Sequence, residues 1–412
     1  MGENEKQTKS RVLCALLVTA MFQFFFSSAK QIQSITKMQT QSPKRIGSSF
    51  IFPVQGDVYP NGFFYTSVNI GNPPKTYYLD IDTGSDLTWV QCAVPGAKLH
   101  KAPHNPYKPN NNVVSCKDPL CASVHHPPDH PCRSPSDQCD YEVGYADHGS
   151  SLGVLVRDYF TFNVAANRQI NLTFGCGYDQ EFSDPSTPSV DGVFGLANGK
   201  SSILWQLQSL RLTRNVIGHC FSRQGKGVLF FGDGLIPPGI VWTPMKTNEL
   251  NQYLSGPVDL LLGEQTLVAK SLYIAFDSGS TYTYLNSQAY RDTLSKIMLE
   301  LKTKPLKPVK DGSLPVCWKG AGPFRSIEAV TNYFSPLALR FTINNAPFSF
   351  ALPPENYLIV TSNGNVCLGI LNGAEINLGN LNIIGDISMS DKVVVYDNER
   401  RMIGWASSNC DT

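Results

Sequence analysis

The chain has 412 residues, and its 34 Lys and Arg against 33 Asp and Glu give a formal net charge of +1. This balance argues against a dedicated nucleic-acid-binding protein, which usually carries a basic excess on one domain. Hydrophobic residues make up 42% of the chain and charged residues 16%, a composition that can fill a sizeable core and argues against disorder.

The N-terminus has the pattern of a secretory signal peptide. A polar start that ends in Lys9 and Arg11 precedes an apolar run over 12–26, and small residues follow it. About 20 apolar residues are needed to span a bilayer, so the pattern favours a signal peptide over 1–29 that is cleaved, rather than an uncleaved membrane anchor. We expect entry into the secretory pathway, no stable membrane insertion after cleavage, and an extracellular or vacuolar endpoint.

The cysteines fit this compartment. Removal of Cys14 with the signal peptide leaves an even number, which in an oxidising compartment indicates a disulfide framework whose pairing the sequence does not fix. Four of them crowd into a segment rich in Pro, Asn and His: Cys116, Cys121, Cys132 and Cys139. Because the spacings of zinc ligands are not matched as a set, we predict a disulfide-bonded surface loop and no metal site.

The next segments alternate between polar stretches and strands. Residues 30–56 are polar without clear periodicity, so we expect a short prosegment or linker there. Aromatic and β-branched residues predict a strand over 62–70 that stops at Gly-Asn-Pro-Pro, and a second strand over 76–81.

A duplicated motif then appears. The strand over 76–81 runs into the turn 82–85 (Asp-Thr-Gly-Ser), and a later strand over 271–276 runs into the turn 277–280 (Asp-Ser-Gly-Ser). An apolar-apolar-Gly element follows each turn about 110 residues later, at 193–195 and at 383–385, respectively. Two short motifs in one order at nearly equal spacing indicate two structurally equivalent β-rich lobes.

These patterns set the predicted domain organisation. The stretch 234–239, with two prolines, is the expected connection, giving an N-terminal lobe over 57–236 and a C-terminal lobe over 237–412. Helical signals are confined to 201–210 and 287–301. We therefore predict an all-β fold of two pseudo-symmetric lobes with an interlobe cleft and a few short helices.

A single Asp-Thr/Ser-Gly turn is a weak signal, but the pair suggests catalysis. A two-fold arrangement brings Asp82 and Asp277 to the lobe interface, where like charges a few ångströms apart cannot both ionise easily. One carboxyl stays protonated while the other remains a carboxylate. Such a pair holds a water molecule, with the carboxylate as general base and the acid polarising the carbonyl under attack.

The remaining residues of the two turns suit this task. The glycines let the backbone approach the opposite lobe and donate N–H groups to carboxylate oxygens. The first hydroxyl residue of each turn is expected to hydrogen-bond across the two-fold axis, and the second to support the outer carboxylate oxygens. These active-site support residues are Thr83, Gly84, Ser85, Ser278, Gly279 and Ser280.

The sequence resembles the pepsin-like aspartic proteases over nearly the whole chain that follows the signal peptide. Segments 79–90 and 274–285 are similar to the two active-site segments of that family, 192–203 to a segment late in the first lobe, and 382–406 to the C-terminal segment. The resemblance implies a bilobal pepsin-like fold, a peptide cleft between the lobes, and endopeptidase activity that needs neither a cofactor nor a covalent intermediate.

The resemblance also assigns roles to residues. It implies Asp82 and Asp277 as the catalytic pair, and the aspartic-protease dyad is itself the standard example of a divided titration, whose pKa values belong to the pair. Tyr145 would lie at the tip of a mobile hairpin flap, together with Asp147. Trp89 matches the tryptophan that hydrogen-bonds to the flap tyrosine.

The flap departs from the usual plant pattern at two positions. Ala146 and His148 stand where that pattern has glycine, so we expect a stiffer hairpin that is less able to take positive φ angles.

The cysteine-rich insertion and the run Phe-Gly-Cys-Gly over 174–177 resemble the nepenthesin and nucellin-like branch of plant proteases. This resemblance, and not the spacing, implies five disulfides. They are Cys92–Cys176, Cys116–Cys139 nested around Cys121–Cys132, Cys220–Cys410 and Cys317–Cys367.

Two other functions use a similar fold or a similar pair of carboxyl groups. A catalytically weak binding or inhibitor protein on the same fold, as in plant xylanase-inhibitor proteins without a working dyad, is disfavoured by the intact Asp pair. A glycosidase with two carboxylates would not explain the duplicated turns.

The favoured function is a secreted plant aspartic endopeptidase made as a zymogen. Expected partners are protein or peptide substrates and pepstatin-type inhibitors, with no nucleic acid, and the chain is expected to be a monomer. Asn171 is a candidate glycosylation site, as the acceptor of an Asn-Leu-Thr sequon. Apolar substrate side chains are expected, since Leu87, Tyr145 and Tyr284 would line the cleft.

Overall fold

Short β-strands form most of the structure, a computed structural model that describes residues 49–162, 168–181, 190–246, 248 and 250–411. The predicted signal peptide and residues 30–48 lie outside the described residues. In the first half, the strands are β1 Phe50–Asp57, β2 Phe63–Ile70, β3 Lys75–Asp82, β4 Trp89–Gln91, β5 Asp140–Gly144, β6 Ser150–Phe162, β7 Arg168–Glu181, β8 Gly192–Gly195, β9 Val216–Phe221 and β10 Lys226–Phe231.

The second half continues with strands of similar length. They are β11 Val241–Pro244, β12 Leu254–Leu262, β13 Gln265–Thr266, β14 Leu272–Phe276, β15 Thr283–Leu285, β16 Lys307–Val309, β17 Cys317–Lys319, β18 Leu337–Ile343, β19 Ala346–Leu352, β20 Leu358–Val360, β21 Val366–Leu368, β22 Ile370–Asn372, β23 Asn382–Ile384, β24 Lys392–Asp397 and β25 Met402–Ser407. The helices are α1 Ile203–Ser209, α2 Ser287–Leu301 and α3 Asp386–Met389, and short 3-10 turns lie at Cys121–Ser123, Ile327–Ala329, Thr331–Tyr333, Pro354–Asn356 and Gly373–Ile376.

The predicted strands and helices are confirmed where the structure describes them. The strands expected over 62–70, 76–81 and 271–276 are β2, β3 and β14, and the helices expected over 201–210 and 287–301 are α1 and α2. Among the described residues, no helix combines the length and the apolar character needed to cross a membrane.

One part of the predicted segment 30–56 is corrected. β1 begins at Phe50, inside that segment, and it is a strand of the main sheet. Its buried residues alternate with exposed ones, since Phe50, Phe52 and Val54 face the core while Ile51 is exposed. Sequence reasoning missed this strand because the polar residues before it hid a pattern only eight residues long.

Both Asp turns lie in equivalent arrangements of strands. A 13-stranded sheet has the order β11-β25-β24-β9-β10-β1-β2-β3-β8-β4-β7-β6-β5, and a second sheet contains β19-β18-β12-β14-β23-β15-β22. Within these orders, β3-β8-β4 in the first half corresponds to β14-β23-β15 in the second. The duplicated sequence motifs therefore belong to a duplicated arrangement of three strands.

The two halves also share a sheet, because strands from after residue 236 pair with strands from before it. β24, from near the C-terminus, pairs with β9, and β11 and β25 extend the sheet beyond it. The last two strands, β24 and β25, thus return to the sheet of the first half. A third sheet of four strands, β16-β17-β21-β20, lies in the second half.

Candidate active site

Equivalent strands bring the two aspartates to equivalent places. β3 ends at Asp82 and pairs in parallel with β8, so that Asp82 lies opposite Gly195. Asp277 follows β14, which pairs in parallel with β23 and places Phe276 opposite Ile384. The equal spacing between each Asp turn and its apolar-apolar-Gly element therefore reflects the return of the chain to the strand beside the aspartate.

Four hydrogen bonds join the two turns across the halves. The Thr83 backbone N–H donates to Ser278 Oγ over 3.1 Å, and the Ser278 N–H donates to Thr83 Oγ1 over 2.9 Å. Thr83 Oγ1 also donates to the carbonyl of Phe276 (3.2 Å), and Ser278 Oγ donates to that of Ile81 (2.6 Å). Since both hydroxyls are buried, these reciprocal bonds fix one aspartate relative to the other.

Each carboxyl group is oriented by its own turn. Asp82 Oδ1 accepts from the N–H groups of Gly84 (2.7 Å) and Ser85 (3.2 Å), while Asp82 Oδ2 accepts from the Ser85 hydroxyl. Asp277 Oδ1 accepts from the Gly279 N–H over 3.0 Å, and Asp277 Oδ2 from the Ser280 hydroxyl over 3.1 Å.

The glycines of the turns are needed for close approach. A Cβ added to Gly84 would lie 2.5 Å from Asp277 Oδ1, and one added to Gly279 would overlap the carboxylate of Asp82. Each carboxyl group therefore lies directly against the turn of the opposite half. The two carboxyl groups are themselves within hydrogen-bonding range of each other.

Burial and mutual repulsion divide the protonation of the pair. Burial raises the pKa of both Asp82 and Asp277 above the ordinary value, because the charged form loses hydration. The donors around Asp82 oppose this rise by stabilising its carboxylate, whereas the negative charge on Asp82 raises the pKa of Asp277 further. The pair therefore favours a carboxylate at Asp82 and a protonated Asp277.

The hairpin of β5 and β6 carries the predicted flap. Tyr145 is partly exposed at its tip, and its hydroxyl accepts a 2.7 Å hydrogen bond from Trp89 Nε1. Asp147 is exposed, and its Oδ1 accepts from the N–H of Gly149 over 2.9 Å, so it stabilises the turn. Burial and then the negative charge of Asp82 raise the pKa of the Tyr145 phenol, which places the flap tyrosine close to the aspartate pair.

The expectation that the flap would avoid positive φ angles is corrected at one position. His148 has a φ of 70°, the left-handed conformation that glycine takes without cost. His148 therefore holds, with some backbone strain, a conformation that glycine adopts more readily.

Two of the five expected disulfides are wrong. The structure joins Cys92–Cys176, Cys220–Cys410 and Cys317–Cys367 as the resemblance implied, but it has Cys116–Cys132 and Cys121–Cys139 in place of Cys116–Cys139 and Cys121–Cys132. The sulfur of Cys121 lies only 3.6 Å from that of Cys132, its expected partner. The bridges lie side by side, so spacing along the chain could not separate the two pairings.

This cluster also brings possible metal ligands together. The ligand atoms of Cys121, His126 and Cys139 lie within 4.8 Å of one another. The two cysteines are joined in a disulfide and offer no thiolate. His126 Nδ1 lies 2.7 Å from the carbonyl of Asp140, so we assign the cluster a structural role.

Sequence reasoning missed two acidic residues beside the pair. Asp386 begins α3 and is buried with both carboxylate oxygens unpartnered among the described residues. Asp80 lies two residues before Asp82 on β3, and its Oδ1 is buried with no hydrogen-bond donor from the described part of the chain. The alternation Asp80-Ile81-Asp82 was the available signal, because residues two apart on a strand share a face.

Asn171 is exposed on β7, so its side chain is accessible for glycosylation. Glycosylation at this site remains a prediction. The hydroxyl of Thr173 in the same sequon is less accessible, since it is buried and accepts a 3.0 Å hydrogen bond from Arg157 Nε.

Comparisons with known proteins agree with this geometry. The family models described as Xylanase inhibitor N-terminal and Xylanase inhibitor C-terminal match residues 64–233 and 259–407. An aspartic proteinase of Oryza sativa subsp. japonica is 41% identical over 379 residues, covering 88% of this chain and 92% of that protein. Aspartic proteinase 36 of Arabidopsis thaliana is 27% identical, with 97% and 86% covered.

Solved structures show the same fold. The crystal structure of Basic 7S globulin from soybean has a TM-score of 0.67 at 17% identity and covers 88% of this chain and 98% of that one. Conglutin gamma from lupine seeds has a TM-score of 0.66 at 17% identity, with 87% and 95% covered. These likenesses concern the fold alone, and they confirm the predicted all-β bilobal architecture.

The fold and the paired aspartates define the class of pepsin-like aspartic proteinases. Within that class, the chain belongs to the xylanase-inhibitor-like family of plant aspartic proteinases that includes the rice proteinase.

Proposed function

We propose that this chain is an active aspartic endopeptidase that hydrolyses internal peptide bonds without a covalent intermediate. The observation that carries the proposal is the placement of Asp82 and Asp277 within hydrogen-bonding range, each against the turn of the other half. All six support residues occupy the same two turns, and the hydroxyls and N–H groups hold the carboxyl groups in orientation.

The division of protonation assigns the roles. The carboxylate of Asp82 takes a proton from a water molecule as its oxygen attacks the carbonyl carbon, and protonated Asp277 gives its proton to the carbonyl oxygen. The resulting gem-diol collapses when Asp82 passes its proton to the amide nitrogen, which breaks the C–N bond. Asp277 regains its proton from the gem-diol, so the pair returns to its starting state.

The flap supplies the cover over this chemistry. Trp89 holds the Tyr145 hydroxyl through a 2.7 Å hydrogen bond, and Tyr145 lies near enough to Asp82 for its charge to raise the pKa of the phenol. Closure of such a hairpin over a bound peptide excludes bulk water and strengthens electrostatic interactions in the site.

The proposal extends to the setting of the enzyme. The cysteine-rich insertion supports a place in the nepenthesin and nucellin-like branch, and the signal-like N-terminus supports synthesis as a secreted zymogen for the apoplast or the vacuole. Its partners are protein or peptide substrates and pepstatin-type inhibitors, and it acts as a monomer.

A second candidate is a binding or inhibitor protein on the same fold. The description of both family models as xylanase inhibitor halves favours it. The complete dyad and its hydrogen bonds favour hydrolysis instead, because a binding protein has no need of two oriented carboxyl groups that share a proton.

The deciding experiment is cleavage of a denatured protein at about pH 3–5 with and without pepstatin. We expect cleavage that pepstatin blocks and that falls by at least about a hundredfold in Asp82→Asn, because an amide cannot act as the base. Glu264→Gln, a change at an exposed residue in the turn between β12 and β13, serves as the control and should cleave normally. Full activity in Asp82→Asn would overturn the proposal, and absence of cleavage by the wild-type chain would favour the inhibitor function.

A further inference from the structure

We propose that Asp80 makes the cleft selective for peptides with Lys or Arg beside the scissile bond. This inference rests on the proposed function and names a substrate class for it. Its basis is a second carboxyl group on the same face of β3 as Asp82, beside the partly exposed Tyr65 and Val193 and near Tyr145 of the flap.

The position of Asp80 follows from the alternation of the strand. Leu79 and Ile81 point into the core and are completely buried, so Asp80 and Asp82 share the opposite face of β3. Two residues along a strand span about 6.6 Å. The long side chain of a Lys or Arg that flanks the bond held at Asp82 can therefore reach Asp80.

The walls around Asp80 suit a long, amphipathic side chain. Tyr65 on β2 and Val193 on β8 lie directly opposite Asp80 in the sheet, and both are partly exposed. Tyr145 of the flap is near enough for the charge of Asp80 to add to the rise of its pKa that burial and Asp82 cause. Lysine and arginine bury their aliphatic stems against such surfaces while the charged end reaches a carboxylate.

No cation within the described part of the chain neutralises this group. Asp80 Oδ1 is buried and unpartnered, and Asp80 takes part in none of the ion pairs between described residues. The titratable groups that face it are Asp82 on its own strand, Asp277, Asp386 of α3 and Tyr145 of the flap. These groups are acidic or neutral, so a substrate cation supplies the missing partner.

The structure also weakens the expectation of an apolar subsite. Leu87, expected to line the cleft, is buried in a cluster with Trp89 and Tyr141, whereas Tyr284 is only partly exposed. Among the described residues, Asp80 and Asp386 both have unpartnered carboxylate oxygens near the aspartate pair, and Asp80 is the one that shares a strand face with Asp82.

Selectivity should depend on pH. Burial, together with Asp82 and Asp277, raises the pKa of Asp80 well above its ordinary value, so Asp80 is protonated in acid. A neutral Asp80 forms only an ordinary hydrogen bond, whereas the carboxylate forms an ion pair with the substrate. The preference for Lys therefore increases as the pH rises through the raised pKa of Asp80.

The test uses pairs of peptides that differ only in one residue, Lys or norleucine, placed on either side of the scissile bond. For one of the two placements, we expect a ratio of kcat/KM for Lys over norleucine of at least about ten at the alkaline end of the activity range, and a smaller ratio in acid. Asp80→Asn should bring this ratio close to one. Glu264→Gln, which changes the net charge equally at an exposed site, should keep the wild-type ratio.

The outcomes separate the inference from the proposed function. Cleavage with no Lys preference in either placement, or an equal preference in Asp80→Asn, overturns the role of Asp80 while leaving the endopeptidase intact. If no peptide is cleaved, calorimetry with two statine peptides carrying Lys or norleucine beside the statine tests binding alone. Tighter binding of the Lys peptide to the wild type but not to Asp80→Asn then supports the inference, and equal binding overturns it.

Discussion

The two Asp turns follow equivalent strands but differ in their surroundings. Asp82 is only 5% exposed and accepts hydrogen bonds from two N–H groups and one hydroxyl, whereas Asp277 is partly exposed and accepts from one N–H group and one hydroxyl. The flap that carries Tyr145 also belongs to the first half. A symmetrical scaffold thus holds two carboxyl groups in unequal environments, and this inequality favours a carboxylate at Asp82 and a protonated Asp277.

The comparison teaches that position and protonation have different origins. Reciprocal bonds between Thr83 and Ser278 place the aspartates symmetrically. Extra donors at Asp82 and the charge of Asp82 acting on Asp277 then break the symmetry. Substitutions can therefore remove the bonds that position the aspartates, or the donors that set their protonation, one at a time.

The largest effect is expected where the halves are joined. Thr83→Val and Ser278→Ala should each lower the free energy of unfolding by about 2–4 kcal/mol, because each leaves a buried N–H group and a buried carbonyl without partners. Urea-induced unfolding measures the loss. The double variant should lose less than the sum of the single losses, since both residues belong to one network.

Thr76→Val is the matched control for Thr83→Val, because it also removes a threonine hydroxyl but not a bond between the halves. It removes an exposed hydrogen bond to Asn69 within the first half and should change stability by less than about 0.5 kcal/mol. A loss as small as this in Thr83→Val would mean that the reciprocal bonds do not hold the halves together.

The next effect concerns protonation. Asp82 must be ionised, so activity falls as the pH drops through its pKa, and Asp277 must be protonated, so activity falls as the pH rises through its pKa of about 7. Ser85→Ala removes a donor from the Asp82 carboxylate and raises its pKa, which moves the acid limb of kcat/KM upward by about one pH unit. Ser280→Ala should move the alkaline limb upward instead.

Each serine variant is the control for the other. Profiles of kcat/KM against pH should show one displaced limb per variant, with the opposite limb close to that of the wild type. The same limb moving in both variants would contradict the division of roles between Asp82 and Asp277.

The smallest effect is expected in the flap, which has no role in joining the halves. His148→Gly should raise the free energy of unfolding by about 1 kcal/mol, because glycine accepts the φ of 70° without strain. Ala146→Gly is the control, since Ala146 is not among the described residues with positive φ, and it should not stabilise the chain. Stabilisation by Ala146→Gly, or none by His148→Gly, would show that strain at His148 is not the cause.

Short-range patterns in the sequence located most of the site. The run from Leu79 to Asp82 is an apolar strand entering a glycine turn, and its repeat at 274–277 shows which two aspartates correspond. Alternation of side chains along a strand is a local property, so these strands and turns could be predicted without knowing the fold. Thr83 and Ser278 could be placed as a bonded pair because the duplication itself implies a two-fold axis.

Other features depend on contacts between residues that are far apart in the chain. Cys116 and Cys121 could each have paired with Cys132 or Cys139, and only the folded loop selects their partners. The strand that begins at Phe50 becomes recognisable through its pairing with β2 and β10.

The sequence by itself determined the class of fold, the two aspartates and the residues that support them, because each lies within a few residues of the motif that identifies it. Tertiary structure alone decided which carboxyl group is favoured as the carboxylate, which cysteines are joined and why Asp80 Oδ1 finds no donor among the residues that the structure describes. Burial, electric charge and cross-chain pairing decide these properties, and they arise only when distant segments are packed together.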